Sequence, residues 1–285
     1  MAVTAFGSVR SCGVTTLALG MATTWPADQR VLLVEADPAG GTLAAASDWP
    51  AEPSLVTLAA AARRGGDPAL VWEHCHQLPG GVPALAAPAA GDQARSALGM
   101  LGPLLARLDE LDANVLVDCG RLDPGSPTLS VWERADRPVV VARPRLADLQ
   151  ALASWIDGRS LDGRVGLVLV GDGPYPDAEV TEALGLPVLS RLPWDPGTAD
   201  VLVSLPAAAR PLRLAPLVRA ARTLADELAR PCAPIAAPST EETSRAAEVG
   251  RGARGAGIGS RVLRAWRAEM PSEPSNGSVP EEASR

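Results

Sequence analysis

FGSVRSCGVTT, at residues 6–16, is the stretch from which the rest of this sequence is best interpreted. A short apolar run precedes it at residues 2–5, and an apolar pattern typical of a buried helix follows over residues 15–24. Unpaired backbone N–H groups at a helix N-terminus bind anions, and small side chains let an anion approach them. The stretch therefore predicts a phosphate-binding loop between a strand and a helix. We expect it to be lined by Gly7, Ser8, Val9, Arg10, Ser11, Cys12, Gly13, Val14, Thr15 and Thr16.

The loop lacks the lysine that this kind of site uses. A working phosphate-binding loop carries a lysine just before its threonine pair, where the ammonium group contacts the β- and γ-phosphates. Val14 holds that position here. All 26 basic residues of the chain are arginine, so no lysine from another segment or from a second copy of the chain can replace it.

The loop resembles the deviant Walker A motif of the MinD/ParA family, K-G-G-x-G-K-T-T. The two lysines of the motif fall on Val9 and Val14. The later part of the motif is retained, because its third glycine and its threonine pair fall on Gly13, Thr15 and Thr16.

Three further segments resemble the same family in the right order. VLLVEADPAGG, at residues 31–41, is similar to its second strand and acidic switch loop. NVLVDCGRL, at residues 114–122, is similar to its Walker B strand, and LGLPVLSRLPWD, at residues 184–195, to a late strand and Pro-x-Asp turn near the base. The resemblance covers residues 1–230 and implies an α/β fold of the P-loop NTPase type, with a mostly parallel twisted sheet and helices on both faces.

The resemblance also implies a nucleotide site that uses ATP and magnesium. In the family, the acid at the position of Asp37 lies near the attacking water, so Asp37 is the candidate catalytic residue. The implied metal residues are Thr15, Asp37 and Asp118, and Pro193 and Asp195 would lie near the base. The asparagine that reads adenine in the family is absent, since Gly171 and Asp172 follow the strand predicted at residues 165–170.

Loss of the lysines should weaken the phosphate side of the site. A hydrogen bond to a charged group contributes about 1.5–3 kcal/mol, so losing two would lower triphosphate affinity by roughly 10²–10⁴-fold. Hydrolysis should suffer more, because cations that clamp the transferring phosphoryl group contribute about 10³–10⁵ in rate. Arginine also binds phosphate in a bidentate manner, and the candidate replacements are Arg10, Arg121 and Arg143.

Three functions are consistent with the sequence. The first is a pseudo-ATPase that serves as an interaction module in placing a division site, a chromosome or a pilus, with a protein partner or as a homodimer. The second is a slow ATPase in which arginines replace the lysines. The third is a DNA-associated partition protein that binds through the arginines of residues 251–267, although a net charge of −7 argues against nucleic-acid binding by the whole surface.

Cysteine usage and hydropathy favour a cytoplasmic protein. The four cysteines show no C-x-x-C spacing, as is typical of a reducing compartment, and no apolar run reaches the ~20 residues of a membrane span. An N-terminal secretory signal is the less favoured alternative, since Thr15 and Thr16 interrupt its apolar run. His74, Cys75 and His76 are adjacent, which favours a surface helix end over a metal site.

The chain divides into residues 1–230, one domain, and residues 231–285, a tail whose composition predicts disorder. Within the tail, a basic amphipathic helix is predicted at residues 258–270, with an apolar row of Ile258, Val262, Trp266 and Met270. An inert helix, docking on a partner and contact with an anionic membrane are the alternatives, the last of which would make the protein peripheral to a membrane.

Apolar patterns predict the remaining elements of the domain. Helices are expected at residues 42–47, 67–77, 93–108, 146–156, 177–184 and 214–229, and strands at residues 82–86, 115–117, 138–142, 165–170 and 188–192.

Overall fold

The structure is a computed structural model, and it describes residues 1–63, 66–157, 159, 161, 163–204 and 211–230. The tail predicted at residues 231–285 and its helix at residues 258–270 lie outside these residues, so both stay predictions.

One eight-stranded sheet forms the centre of the described chain, in the order β3-β4-β2-β5-β1-β6-β7-β8. Neighbouring strands are parallel, except that β3 and β4 pair antiparallel at the edge. This arrangement confirms the predicted fold class. The strands are β1 Val3–Ser8, β2 Val31–Glu35, β3 His76–Gln77, β4 Pro83–Leu85, β5 Asn114–Arg121, β6 Arg137–Ala142, β7 Gly166–Val170 and β8 Val188–Leu192.

Helices cover both faces of the sheet, and none in the described residues is long and apolar enough to cross a membrane. The helices are α1 Val14–Thr24, α2 Leu43–Ala46, α3 Leu55–Ala62, α4 Gly91–Leu105, α5 Leu129–Arg134, α6 Leu146–Ile156, α7 Asp177–Leu184, α8 Pro196–Ser204 and α9 Pro216–Leu228. Helices α3 to α7 pack into one hydrophobic cluster, and α1, α2, α8 and α9 pack into the other.

The central strands are apolar on both faces because helices bury both sides of them. All five residues of β2 and the first seven of β5 are buried. Close packing of α1 against α9 depends on Gly20, where a Cβ atom would lie 3.1 Å from the Cβ of Ala221. Parallel strands bring their carboxyl ends to one edge, and ligands bind at that edge in folds of this type.

The prediction of a helix at residues 67–77 is wrong for the second half of that segment. A 3₁₀ helix, Pro68–His74, is followed by strand β3, which forms a hairpin with β4. Gly80 and Gly81 both have positive φ and make the turn, while the ring of His76 stacks on Trp49 at 4.6 Å. Pairing with β4 and stacking on Trp49 are long-range contacts that outweigh the local helical pattern.

Candidate functional site

The predicted phosphate loop lies between β1 and α1 at the carboxyl edge of the sheet. Strand β1 ends at Ser8, so Gly7 and Ser8 belong to the strand and residues 9–13 form the loop. Gly13 precedes the helix with φ of 99°, a conformation that favours glycine. No side chain caps α1, and no acid lies in its first turn. The first N–H groups of α1 therefore remain available to an anion.

Side chains in the loop point in different directions. Arg10 and Ser11 are exposed, whereas Thr16, in the first turn of α1, is half-buried. Cys12 is buried, and its thiol donates to the backbone carbonyl of Val141 at 3.1 Å. Burial raises the pKa of Cys12 to about 12, so the thiol stays protonated and unreactive.

Val9 and Val14, the two positions where the family motif has lysine, both face the protein interior. Val14 exposes only 5% of its surface and belongs to the hydrophobic cluster that contains Phe6 and Leu17. Val9 is half-buried and packs against the cluster on the opposite face of the sheet. Both valines therefore pack against the hydrophobic core, and neither position offers a charge to a phosphate.

The metal side of the site is assembled by Thr15 and Asp118. The Thr15 hydroxyl donates to Asp118 Oδ2 at 2.6 Å, and the backbone N–H of Gly120 donates to Oδ1 at 2.9 Å. Burial raises the pKa of Asp118 to about 7, against the lowering effect of these two hydrogen bonds. Neighbouring acids Glu35 and Asp37 raise the pKa further.

Asp37 lies beside Asp118 because its carboxyl group packs on Gly120. A Cβ atom at Gly120 would lie 2.2 Å from Asp37 Cγ. Asp37 Oδ1 accepts a hydrogen bond from the N–H of Ala39 at 2.8 Å. Burial raises the pKa of Asp37, and the charges of Arg121 and Arg95 lower it.

The three predicted metal residues Thr15, Asp37 and Asp118 thus converge at one edge of the sheet. A hydroxyl and two carboxyl groups are the hard oxygen donors that Mg²⁺ prefers, so these residues fit a magnesium ion. The same site offers no lysine to the phosphates that magnesium would accompany, and in this respect it does not fit a triphosphate.

Glu35, at the end of the same strand as Asp37, has a different role. Its Oε1 accepts from the N–H groups of Thr42 at 2.6 Å and Leu43 at 3.1 Å, and its Oε2 accepts from that of Ala87 at 3.0 Å. The side chain therefore joins the start of α2 to the segment after β4, and burial raises its pKa. Glu35 thus holds the segment after β2 in place, and both of its carboxylate oxygens are occupied by backbone N–H groups.

The Pro-x-Asp turn begins a helix. Pro193 follows β8, and Asp195 accepts hydrogen bonds from the N–H of Thr198 at 3.0 Å and from its hydroxyl at 2.5 Å. These contacts cap α8 and lower the pKa of Asp195. Trp194 between them is 58% exposed, and the guanidinium of Arg143 lies 4.7 Å from its ring centroid. The Asp195 carboxylate is thus engaged within the chain.

The candidate replacement arginines have acidic or aromatic neighbours. The Arg10 side chain is 61% exposed and lies 3.8 Å from a carboxylate oxygen of Asp148. Arg121 is paired with Asp123 at 3.2 Å, and Arg143 stacks on Trp194. These contacts do not place any of the three guanidinium groups against the N-terminus of α1.

One arginine near the site was missed in the sequence. Arg95 lies on α4 and acts electrostatically on Asp37, as Arg121 does. The first residue of α4, Gly91, packs against the switch loop, and a Cβ there would lie 2.6 Å from the Ala39 carbonyl oxygen. This close contact between α4 and the loop after β2 joins segments more than 50 residues apart. Local sequence patterns therefore could not indicate that Arg95 lies near Asp37.

The His74-Cys75-His76 segment makes contacts of an ordinary kind. His74 Nδ1 lies 2.7 Å from the Thr57 hydroxyl, and His76 Nε2 lies 2.7 Å from the Pro53 carbonyl. Among the described residues, no group of three or more His, Cys, Asp or Glu side chains is placed to hold a metal ion.

A parallel sheet with an anion-binding loop after an inner strand, and an acid at the end of the adjacent strand, defines the class of P-loop NTPase folds. No protein-family model matches the sequence, and no curated protein is similar to it. Among solved structures, the structural neighbours include MinD/ParA family ATPases, and the chain has their fold.

Three of these structures show the extent of the likeness. A ParA family ATPase from Chlorobium tepidum TLS is 17% identical, covers 79% of this chain and 98% of its own, and has a TM-score of 0.65. The septum site-determining protein MinD from Pyrococcus horikoshii OT3, complexed with Mg-ADP, is 19% identical to this chain. The match covers 80% of this chain and 96% of MinD, with a TM-score of 0.60. A chain of the MinC:MinD cell division protein complex from Aquifex aeolicus is 13% identical to this chain. The match covers 82% of this chain and 98% of the other, with a TM-score of 0.55.

Proposed function

We propose that this protein is a pseudo-ATPase with the MinD/ParA fold, which acts as an interaction module in spatial organisation. The observation that carries the proposal is the burial of Val14 in the core at the position of the phosphate-binding lysine. Because the chain contains no lysine, no other segment can supply a lysine ammonium group in its place. The site keeps a backbone cradle and a metal side, and lacks the charge that balances a triphosphate.

The missing lysines should impair turnover more than binding. The N-terminus of α1 can still attract a phosphate, because its N–H groups and its dipole do not depend on side chains. Clamping the transferring phosphoryl group requires positioned cations, which contribute about 10³–10⁵ in rate. We therefore expect weak binding of Mg-ATP at most, and no measurable turnover.

Calorimetry and phosphate release on the full chain test this proposal. We expect at most a weak heat of binding at millimolar Mg-ATP, and no phosphate release above that of buffer. ATP turnover that Asp37→Ala abolishes would contradict the proposal. That substitution removes the candidate catalytic acid and leaves the phosphate loop unchanged. A parallel titration with Asp226→Ala, which changes an exposed acid near the end of α9, controls for nonspecific effects.

A slow ATPase is the second candidate, and a specific observation favours it. Arg95 and Arg121 both act on Asp37, so two cations lie near the acid at which hydrolysis would occur. An arginine close to the reacting phosphoryl group is an established replacement for a missing cation. If this function is correct, Arg95→Gln or Arg121→Gln lowers phosphate release, whereas Arg134→Gln on α5 leaves it unchanged.

The interaction role follows by structural analogy. The septum site-determining protein MinD and the MinC:MinD cell division complex are among the structures that this fold resembles. We propose a protein partner or a second copy of this chain, in the cytoplasm or peripheral to a membrane. Sedimentation of the purified chain and imaging of a fluorescent fusion test these points, since a uniformly distributed monomer would contradict them.

A further inference from the structure

A second cleft lies at the amino ends of the parallel strands, at the edge of the sheet opposite to the phosphate loop. Its volume is about 1080 Å³, and its walls include Trp25, which follows α1, and Val31, which begins β2. Leu202 of α8 and Val218 of α9 also line it, as does the turn between β3 and β4. Small-molecule pockets measure about 300–1,000 Å³, so the cleft has room for an organic ligand.

The charged side chains that line the cleft are cationic. They are Arg30, just before β2, and Arg222 on α9, and no acid is among the described residues of the cleft walls. The neighbouring acids Asp28 and Glu73 are exposed but do not line it. The chain as a whole has a net charge of −7, so a cleft with two arginines and no carboxylate is a local exception that favours an anion.

Both guanidinium groups remain available to a ligand. Arg222 is exposed and forms no ion pair within the part of the chain that the structure describes. Arg30 lies 3.7 Å from a carboxylate oxygen of Asp112, and both of these side chains are largely exposed. Exposed ion pairs contribute little, so an anion can compete for Arg30. The Arg30 guanidinium also lies 4.9 Å from the ring centroid of Trp72, a contact that keeps it at the cleft wall.

The cleft also contains hydrogen-bond donors without a full set of partners. Trp25 exposes only 8% of its surface, and its indole N–H has no acceptor among the described residues. A buried donor without a partner is rare in folded proteins, and a group that the protein binds would account for it. Gln29 lines the cleft as well, and its side-chain oxygen accepts from Asn114 at 3.0 Å, which leaves its NH₂ group as a donor.

We propose that this cleft binds a small organic anion, which has a flat apolar body and one carboxylate or phosphate group. Arg30 and Arg222 bind the charged group, since the planar guanidinium matches both carboxylate and phosphate oxygens. The apolar body packs against Trp25 and Trp72, because two indole rings offer a large rigid surface. The cleft and the phosphate loop lie at opposite ends of α1, so this proposal is independent of whether the loop binds ATP.

Three probes with the same ring test the role of charge on the full chain. Phenylacetate carries a carboxylate, phenyl phosphate carries a phosphate group, and benzyl alcohol is neutral. We expect at least one of the two anions to bind roughly ten-fold more tightly than the alcohol, because the alcohol cannot form charge-assisted hydrogen bonds. The tighter of the two anions assigns the ligand as a carboxylate or as a phosphate ester. Equal affinity for all three probes would overturn the proposal.

The indole N–H signal of Trp25 in a nuclear magnetic resonance spectrum locates the binding. The chain has seven tryptophans, and Trp25→Phe identifies this signal by its loss. We expect the signal to shift as millimolar phenylacetate or phenyl phosphate is added. The indole groups of Trp132 and Trp155 donate to the carbonyls of Val139 and Leu122, so their signals should stay unchanged. Equal shifts at all three tryptophans would mean adventitious binding only, and an unchanged Trp25 signal would likewise overturn the proposal.

Arginine variants separate the cleft from the rest of the surface. Arg30→Gln and Arg222→Gln should each weaken binding of the anions roughly ten-fold and leave that of benzyl alcohol unchanged. The matched control is Arg219→Gln, which changes an exposed arginine of α9 outside the cleft walls and should have no effect. Anion binding that survives the loss of both Arg30 and Arg222, in a protein that unfolds like the parent, would overturn the proposal.

Discussion

The Thr15 hydroxyl donates a hydrogen bond of 2.6 Å to the carboxylate of Asp118, across 103 residues of sequence. The bond joins the first turn of α1 to β5, and it places a hydroxyl and a carboxylate, oxygen groups of the kind that hard cations bind, beside the loop of residues 9–13. Val14, the residue immediately before Thr15, is meanwhile buried in the core. One side of the candidate site therefore presents oxygen donors, whereas the position just before Thr15 presents a buried apolar side chain.

Asp118→Asn should stabilise the protein at high pH. Burial raises the pKa of Asp118 to about 7 in the folded state, whereas an unfolded aspartate titrates near 3.9. Between these values the folded state binds more protons than the unfolded state, so its stability falls as pH rises. Asparagine can keep the contacts to Thr15 and Gly120. We expect a gain of about 2–4 kcal/mol in unfolding free energy at pH 8.

Urea unfolding of both proteins at pH 4.5 and pH 8 measures this effect. The difference between them should be small at the lower pH and should grow through the interval up to about pH 7. Asp172→Asn, at an exposed position, should leave both measurements unchanged. A difference that is the same at both pH values would show that Asp118 is not protonated more readily in the folded state.

Gly120→Ala should displace Asp37. A Cβ at this position would lie 2.2 Å from Asp37 Cγ, and φ is +60°, so the substitution combines a clash with backbone strain. Gly125→Ala is a matched control, because Gly125 has φ of +80° and open space around it. We expect about 1 kcal/mol of destabilisation for the control and about 2–4 kcal/mol for Gly120→Ala in urea unfolding. Equal losses would contradict close packing of Asp37 on Gly120.

The order of strands and helices could be predicted because buried parallel strands are short apolar runs between amphipathic helices. Elements without this contrast were missed. Helix α3, Leu55–Ala62, is short and rich in alanine, and α8, Pro196–Ser204, starts with Pro-Gly, which usually indicates a turn. Strand β3 has only two residues and exists because β4 offers it a partner.

The candidate site could be predicted where it depends on strand ends. Asp37 and Asp118 each follow a buried apolar run, and parallel strands bring such residues to one edge, whereas Thr15 is assigned only by the resemblance of the loop to the family motif. The role of Glu35 could not be predicted in the same way. Its hydrogen bond to the N–H of Ala87 joins residues 52 positions apart, and only tertiary structure shows that its carboxylate is already occupied.

Glu35→Gln should loosen the switch loop. Both carboxylate oxygens of Glu35 accept hydrogen bonds from backbone N–H groups. Glutamine has only one amide oxygen, so its NH₂ group would face one of these backbone N–H groups, donor against donor. A buried donor left unpaired costs about 1–3 kcal/mol, which is the expected loss in unfolding free energy at pH 7. Glu52→Gln, at an exposed acid, is the control.

Hydrogen exchange adds a local measurement to the Glu35→Gln experiment. The amides of Thr42, Leu43 and Ala87 should exchange faster in the variant, since their acceptor is impaired. Exchange in β7 should stay as it is in the parent protein. Unchanged protection at all three amides would mean that the loop does not depend on Glu35.

Val14→Lys should restore affinity for Mg-ATP if the backbone cradle is intact. The aliphatic part of lysine can replace the buried valine while the ammonium group extends towards the loop opening. One charged hydrogen bond contributes about 1.5–3 kcal/mol, so we expect affinity to rise by about 10–150-fold in calorimetry. Val14→Met, which has similar length and no charge, separates the effect of charge from that of repacking. A gain with methionine equal to that with lysine would show that repacking, and not charge, raises the affinity. No gain with lysine, in a variant that unfolds like the parent protein, would show that the backbone N–H groups of the loop do not bind the phosphates.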